Sequence, residues 1–110
     1  MNPSRAKGTR AETAVVDYLR TRGWIHAERR ALRGNHDRGD IAGIPGLVLE
    51  IKNCSRLELA SWTKEARAEA ANDGAHLWAV VAKPKGVTDP ARYYVLTDLD
   101  TFCALLDDVD

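Results

Sequence analysis

Asp40, Glu50 and Lys52 are the residues of this chain whose types and spacing suit chemistry best. Leu47-Val48-Leu49-Glu50-Ile51-Lys52 reads as a strand, and successive side chains of a strand point to opposite faces. Leu49 and Ile51 then share one face, while Val48, Glu50 and Lys52 share the other. A carboxylate and an ammonium thus emerge side by side from an otherwise apolar ribbon. Ionised groups in such surroundings are costly unless they are paired or bound to a metal. Pro45-Gly46 is a turn signal, which makes Asp40–Ile44 and Leu47–Lys52 the arms of a hairpin. Antiparallel pairing about that turn brings Asp40 near Glu50 or Lys52. Converging carboxylates repel each other, and a divalent cation removes that cost. Hard oxygen donors at an open site suit Mg2+, with Mn2+ as the alternative ion, bound by one or two carboxylates plus substrate phosphate.

The elements that must position these residues follow from periodicity. Ala11, Ala14, Val15, Tyr18 and Leu19 fall on one face of a helix, with Thr9-x-x-Glu12 as a capping box at its start and Gly23 as its stop. Trp24–Arg30 reads as a strand. The polar loop Arg33-Gly34-Asn35-His36-Asp37-Arg38-Gly39 separates it from the hairpin. A second helix is predicted over about Leu57 to Asn72, closed by Gly74. Leu77–Ala82 is the continuous apolar run of a central strand buried on both faces. Tyr93–Leu96 reads as a last strand, and about Asp98–Leu106 as a short acidic helix. The order α-β-β-β-α-β-β-α predicts an α/β fold, with one mixed central β-sheet flanked by helices. Trp62 and Trp78 are expected in its core.

The chain has 110 residues and equal numbers of acidic and basic side chains, 16 of each, for a formal net charge of zero. Its length predicts a single domain, residues 1–110. The longest apolar run, Leu77–Ala82, is far short of the ~20 residues of a membrane span. The residues Met1 to Arg5 hold no apolar signal segment, so a cytoplasmic setting is expected. Cys54 and Cys103 stand alone, and His26, His36 and His76 sit at no metal-sharing spacing, which argues against zinc or a disulfide framework.

Asp40, a nine-residue spacer and Glu50-Ile51-Lys52 together resemble the active-site motif of the PD-(D/E)XK nuclease superfamily. Lys7-Gly8-Thr9-x-x-Glu12 at the first helix is similar to the opening of the archaeal-type Holliday junction resolvases, in a style like that of phage-encoded members. The resemblance covers about residues 7–97 and leaves 98–110 as an acidic C-terminal helix. It implies a restriction-endonuclease-like core and a Mg2+-dependent endonuclease that leaves 5′-phosphate ends. Asp40, Glu50 and the Ile51 backbone carbonyl would hold the ion. Glu12 would join through a water or a second ion. Lys52 would position or help deprotonate the attacking water. Two departures stand out. Gly39 replaces the superfamily's proline, and the serine-containing loop of the resolvases has no clean match in Arg30–Gly39. Asp37 lies close enough in sequence to compete with Asp40, which is favoured because apolar Ile41-Ala42 follows it. Each residue taken alone has an ordinary explanation: a capping box for Glu12, a turn for Asp40, a solvated strand end for Lys52.

A net charge of zero argues at first against a nucleic-acid partner. The sum hides a dipole, because residues 1–38 carry +5 and the remainder −5. Lys7, Arg10, Arg29, Arg30, Arg33 and Arg38 flank the candidate carboxylates and are the expected DNA contacts, of the kind that position a duplex without reading its sequence. Branched or duplex DNA is the expected partner, with neither a membrane nor a small-molecule cofactor. The two-fold symmetry of a four-way junction implies a homodimer. The alternatives are a flap, restriction-type or replication-linked nuclease of the same superfamily, or a non-catalytic DNA-binding module.

Overall fold

A computed structural model of the chain describes residues 3–30, 37–53 and 55–107, with side chains from Lys7 onward. The described residues form an α/β fold in which a mixed five-stranded sheet carries three helices. The elements are α1 (Pro3–Thr21), β1 (Glu28–Arg29), β2 (Ile41–Ala42), β3 (Leu47–Lys52), α2 (Leu59–Asp73), β4 (Leu77–Ala82), β5 (Tyr94–Leu96) and α3 (Leu99–Asp107). A 3-10 turn at Pro90–Arg92 leads into β5. Strand order follows the chain, β1-β2-β3-β4-β5, and every neighbouring pair is antiparallel except β3 and β4. The parallel pair needs a crossover, which α2 supplies.

The period-2 reading of β3 holds. Leu49 and Ile51 pack with Ala11, Val15 and Val16 of α1, together with Ile41, Ala79 and Val81. Val48 packs on the opposite face with Trp62, Ala66 and Ala70 of α2, against Trp78 and Val80. The stripe of Trp62, Ala66 and Ala70 recurs every fourth residue, and its two alanines let the helix lie close to the strands. Both tryptophans are buried, and Trp62→Ala would cost about 3–5 kcal/mol. Gly74 ends α2 in the left-handed conformation, φ 68°, with its N–H turned back to the Ala70 and Ala71 carbonyls. Among the described residues, no helix is long and apolar enough to cross a membrane.

Two local expectations are corrected. α1 begins at Pro3, so Thr9 and Glu12 lie inside the helix and form no capping box. Proline suits a helix's first turn because no intrahelical partner awaits its missing N–H. The strand expected over Trp24–Arg30 shrinks to Glu28–Arg29. The Trp24 N–H bonds back to Leu19 O and the Ala27 N–H to Trp24 O, so this stretch is spent unwinding from α1. Trp24 and Ile25 are left exposed. The hairpin register falls at Ile41 opposite Leu49, which sets Asp40 opposite Glu50.

Candidate metal centre

Asp40 closes the end of β2. Its own N–H donates to Leu49 O at 2.9 Å, and its Oδ2 accepts the Ile51 N–H at 2.7 Å. In a strand the N–H and C=O of one residue point to the same side, so the Ile51 carbonyl also faces the end of β2. A longer β2 would set Gly39 opposite Ile51, but Gly39 gives its N–H to Asp37 Oδ1 at 2.9 Å. Gly39 adopts φ +94°, and a Cβ there would sit 2.8 Å from Val48 Cγ1 and 3.1 Å from Leu49 O. Proline, whose φ is held near −65°, does not fit this position. Glycine at position 39 is thus a backbone requirement of this loop.

Glu50 stands on the α2 face of β3, as strand alternation predicts, and is 4% exposed. Glu69 of α2 meets it there and is 2% exposed. Asp37, Glu50 and Glu69 each offer a carboxylate oxygen within 4.8 Å of the other two. Among the described residues, Glu50 Oε2 and both oxygens of Glu69 are buried without a hydrogen-bond partner. Two ionised carboxylates cannot hydrogen-bond to each other, so their contact requires a proton on one of them or a cation between them. Burial pushes the Glu50 carboxyl far above the usual carboxylate range, and the adjoining Asp40 and Glu69 groups push it further. Burial also pushes Glu69 up to about 7, helped by the charges of Asp37, Glu65 and Asp40.

Lys52 lies one alternation beyond Glu50, and its Nζ donates to Glu65 at 2.8 and 3.0 Å. Burial would lower this ammonium's pKa, but the Glu65 hydrogen bond and the charges of Glu50, Glu65 and Asp40 hold it above its ordinary value. Lys52 is therefore a fixed cation, suited to orienting groups and stabilising negative charge rather than to taking a proton. Glu12 stands on α1, outside the group of converging carboxylates and paired with Arg29. Burial and the charge of Asp40 raise its pKa, while Arg29 Nε, donating to Glu12 Oε1 at 3.1 Å, draws it back down.

Asp40 and Glu50 thus lie side by side, with Lys52 near them. Glu12 is instead engaged by Arg29, and neither Asp40 nor Glu12 belongs to the group of carboxylates whose oxygens converge within 4.8 Å. Glu69 and Asp37 join Glu50, and Glu65 joins Lys52. The two glutamates were unforeseen, and Asp37 was set aside in favour of Asp40. A signal for the helical pair was present in the sequence. Glu65 and Glu69 are like charges at i and i+4, which destabilise a helix, and they border the apolar stripe Trp62-Ala66-Ala70.

The expected basic contacts divide into two sets. Lys7 and Arg10 line a groove with Lys83 and Asn53, and Lys85 adjoins it next to Lys7 and Ser55. Lys83 and Lys85 were not anticipated. Arg29 is engaged by Glu12, while Arg30 and Arg38 approach one carboxylate, that of Asp73, at 3.7 and 3.8 Å. Arg33 lies outside the described residues. A scan against protein-family models found no match to this chain, and neither did searches of the curated proteins and of the solved structures.

Proposed function

We propose that this chain is a divalent-metal-dependent DNA endonuclease with a restriction-endonuclease-like core, selective for branched DNA of the four-way-junction kind. The observation that carries the reading is the set of buried, partnerless carboxylate oxygens on Glu50 and Glu69 beside Asp40, whose position the Ile51 N–H fixes. These groups fit a hard cation: carboxylate oxygens converge at a point where no hydrogen-bond donor among the described residues satisfies them. Asp37, Glu50 and Glu69, whose oxygens lie within 4.8 Å of one another, would hold Mg2+ or Mn2+, with Asp40 and the Ile51 carbonyl as the further oxygen donors that the resemblance implies. Such an ion, when bound, polarises a phosphodiester and lowers the pKa of its water.

The protein's own groups do the rest. Lys52, held protonated against Glu65, aims positive charge at the phosphoryl oxygens as negative charge develops on them. Glu12 would orient a water or a second ion from the α1 side, with Arg29 donating to its Oε1 at 3.1 Å. Lys7, Arg10 and Lys83 offer a basic groove along which a phosphate backbone can lie. Product ends would carry 5′-phosphate.

The test is incubation of the purified chain with labelled four-way junction, flap and linear duplex, each with Mg2+ or with chelator. Symmetric paired nicks across the junction, abolished by chelator, are expected. Cleavage of flap or linear duplex alone would move the substrate to another member of the same nuclease class. Binding without cleavage in Mg2+ and in Mn2+ would leave only a DNA-binding module.

A further inference from the structure

Of the three tryptophans, Trp62 and Trp78 are 4% and 5% exposed, whereas Trp24 is 48% exposed. Trp24 opens the bend that unwinds from α1, and Ile25 beside it is exposed as well. This bend forms one wall of a cleft of about 430 Å3, whose other walls are the hairpin turn Gly43–Gly46, Arg30 and Asp73. That volume falls in the ~300–1,000 Å3 range of small-molecule sites. The shape is set by the backbone. Gly43 has φ +94°, and a Cβ on it would collide with the His26 carbonyl, so bend and turn meet main chain to main chain.

The polar wall of the cleft is cationic. Arg30 Nη2 and Arg38 Nη1 stand 3.7 and 3.8 Å from the same Asp73 oxygen, too far for hydrogen bonds. One carboxylate thus faces two guanidinium groups, and Arg30 Nε is buried without an acceptor among the described residues. A flat apolar ring beside undersatisfied guanidinium groups matches the two halves of a nucleotide. An indole stacks on a base, and arginine takes a phosphate. No residue lining the cleft belongs to the converging carboxylates, yet the two places adjoin. Arg30 gives its N–H to Asp40 O at 2.8 Å. Asp73 follows Glu69 by one turn of α2, about 6 Å along the helix.

We infer that this cleft receives one unpaired nucleotide of a DNA strand, its base against Trp24 and its phosphate against Arg30. The inference rests on the nuclease reading for the identity of the strand as DNA. It adds a means of telling a branch from a continuous duplex. A base inside a duplex stack offers no free face to an indole, whereas a base at a branch point is cheaper to turn out of the stack. The nucleotide taken is one close to the phosphate at the carboxylate cluster, because the cleft begins one helical turn from Glu69. Stacking accepts any base, so Trp24 selects for structure rather than for sequence.

The full chain is titrated in chelator with a short oligothymidylate and, separately, with a fully paired duplex, while tryptophan emission is followed. Trp62 and Trp78 are buried, so quenching by a ligand reports on Trp24. Saturable quenching by oligothymidylate is expected, and none by the duplex, which lies along the basic groove. By fluorescence anisotropy, Trp24→Ala should weaken oligothymidylate binding about tenfold and leave duplex affinity within about twofold. Trp24→Phe keeps an aromatic face and should restore oligothymidylate affinity to within about threefold of wild type. Absence of quenching overturns the inference, even where junction cleavage in Mg2+ upholds the nuclease reading. Equal quenching by the duplex overturns it too, as does a Trp24→Phe variant no better than Trp24→Ala. Quenching by oligothymidylate without any junction cleavage upholds the cleft and overturns the nuclease reading instead.

Discussion

Asp40 Oδ2 accepts the N–H of Ile51 at 2.7 Å, in place of the main-chain partner that a longer β2 would have supplied. One hydrogen bond thereby ends the β2–β3 ladder and anchors a carboxylate beside Glu50. The same interruption leaves the Ile51 carbonyl facing the end of β2, so the acidic cluster stands where the hairpin ladder stops. Asparagine at position 40 can still accept the Ile51 N–H but has no charge. Asp40→Asn should therefore fold normally, bind junction DNA and lose at least about 100-fold in cleavage rate. Gel shift and single-turnover cleavage of one labelled junction check both halves. An Asp40→Asn variant that cuts at the wild-type rate would remove Asp40 from the site.

Lys52→Ala should lose cleavage to a similar extent while leaving metal affinity nearly intact, because the ammonium faces the cluster without being a ligand. Its pairing with Glu65 assigns it a positional role. Lys52→Arg, which keeps the charge but changes its shape, should recover only part of the rate. Cleavage rates measured at saturating Mg2+ distinguish this from a metal-binding defect.

The metal-free protein should lose stability as pH rises. The folded-state carboxyls of Glu50 and Glu69 titrate above their ordinary value of 4.5, Glu69 at about 7. A raised carboxyl favours the folded state at pH below its ordinary pKa, and that contribution is lost as pH climbs through the folded-state value. Thermal midpoints in chelator should accordingly fall from about pH 5 to about pH 8. Mg2+ or Mn2+ should flatten the profile by taking over the charge. Glu69→Gln should also flatten it, and should stabilise the metal-free protein by about 1–2 kcal/mol at the alkaline end. An unchanged slope in Glu69→Gln would show that the pair carries no such strain.

Gly39 is held at φ +94° with no room for a Cβ. Gly39→Ala should cost about 1–3 kcal/mol, and Gly39→Pro more, since proline cannot reach that φ. Chemical denaturation of the metal-free variants measures both. A neutral Gly39→Pro would mean that the loop rearranges freely and does not set Asp37 and Asp40 in place.

Lys83→Ala and Lys85→Ala should weaken DNA binding to a similar extent on any sequence. Each lost phosphate contact should reduce the slope of log affinity against log salt by about 1. Arg30→Ala and Arg38→Ala should have smaller effects on binding, because both guanidinium groups approach Asp73. Fluorescence anisotropy at several salt concentrations separates the two groups.

The part of the site carried by β3 was legible in the sequence because a strand's period of two is unambiguous. Glu50 and Lys52 had to share the face of Val48, and Pro45-Gly46 placed Asp40 near Glu50 or Lys52, between which the register of Ile41 opposite Leu49 selects Glu50. What α2 contributes was not legible. Glu65 and Glu69 enter only when the helix docks, and the rotation of a helix about its axis is decided by the fit of Trp62, Ala66 and Ala70 to the sheet. Asp37 was passed over because apolar residues follow Asp40, yet the turn at Gly39 folds Asp37 back into the cluster. The start of α1 was misplaced because Thr9-x-x-Glu12 has capping-box spacing, although nothing in the preceding residues stops a helix from beginning at Pro3. In the basic surface, Lys83 and Lys85 were missed for a different reason. They follow β4, and only its parallel pairing with β3 sets them beside Lys7 and Asn53.

The central claim is that buried carboxylates converge to hold a divalent cation. The most direct measurement is a Mn2+ titration of the wild-type chain and of Glu50→Gln, followed by electron paramagnetic resonance of the free ion. The account predicts saturable uptake by the wild type and loss of at least about tenfold in affinity for Glu50→Gln, with the fold retained by circular dichroism. Absence of uptake at millimolar Mn2+, or equal uptake by the two proteins, would contradict it.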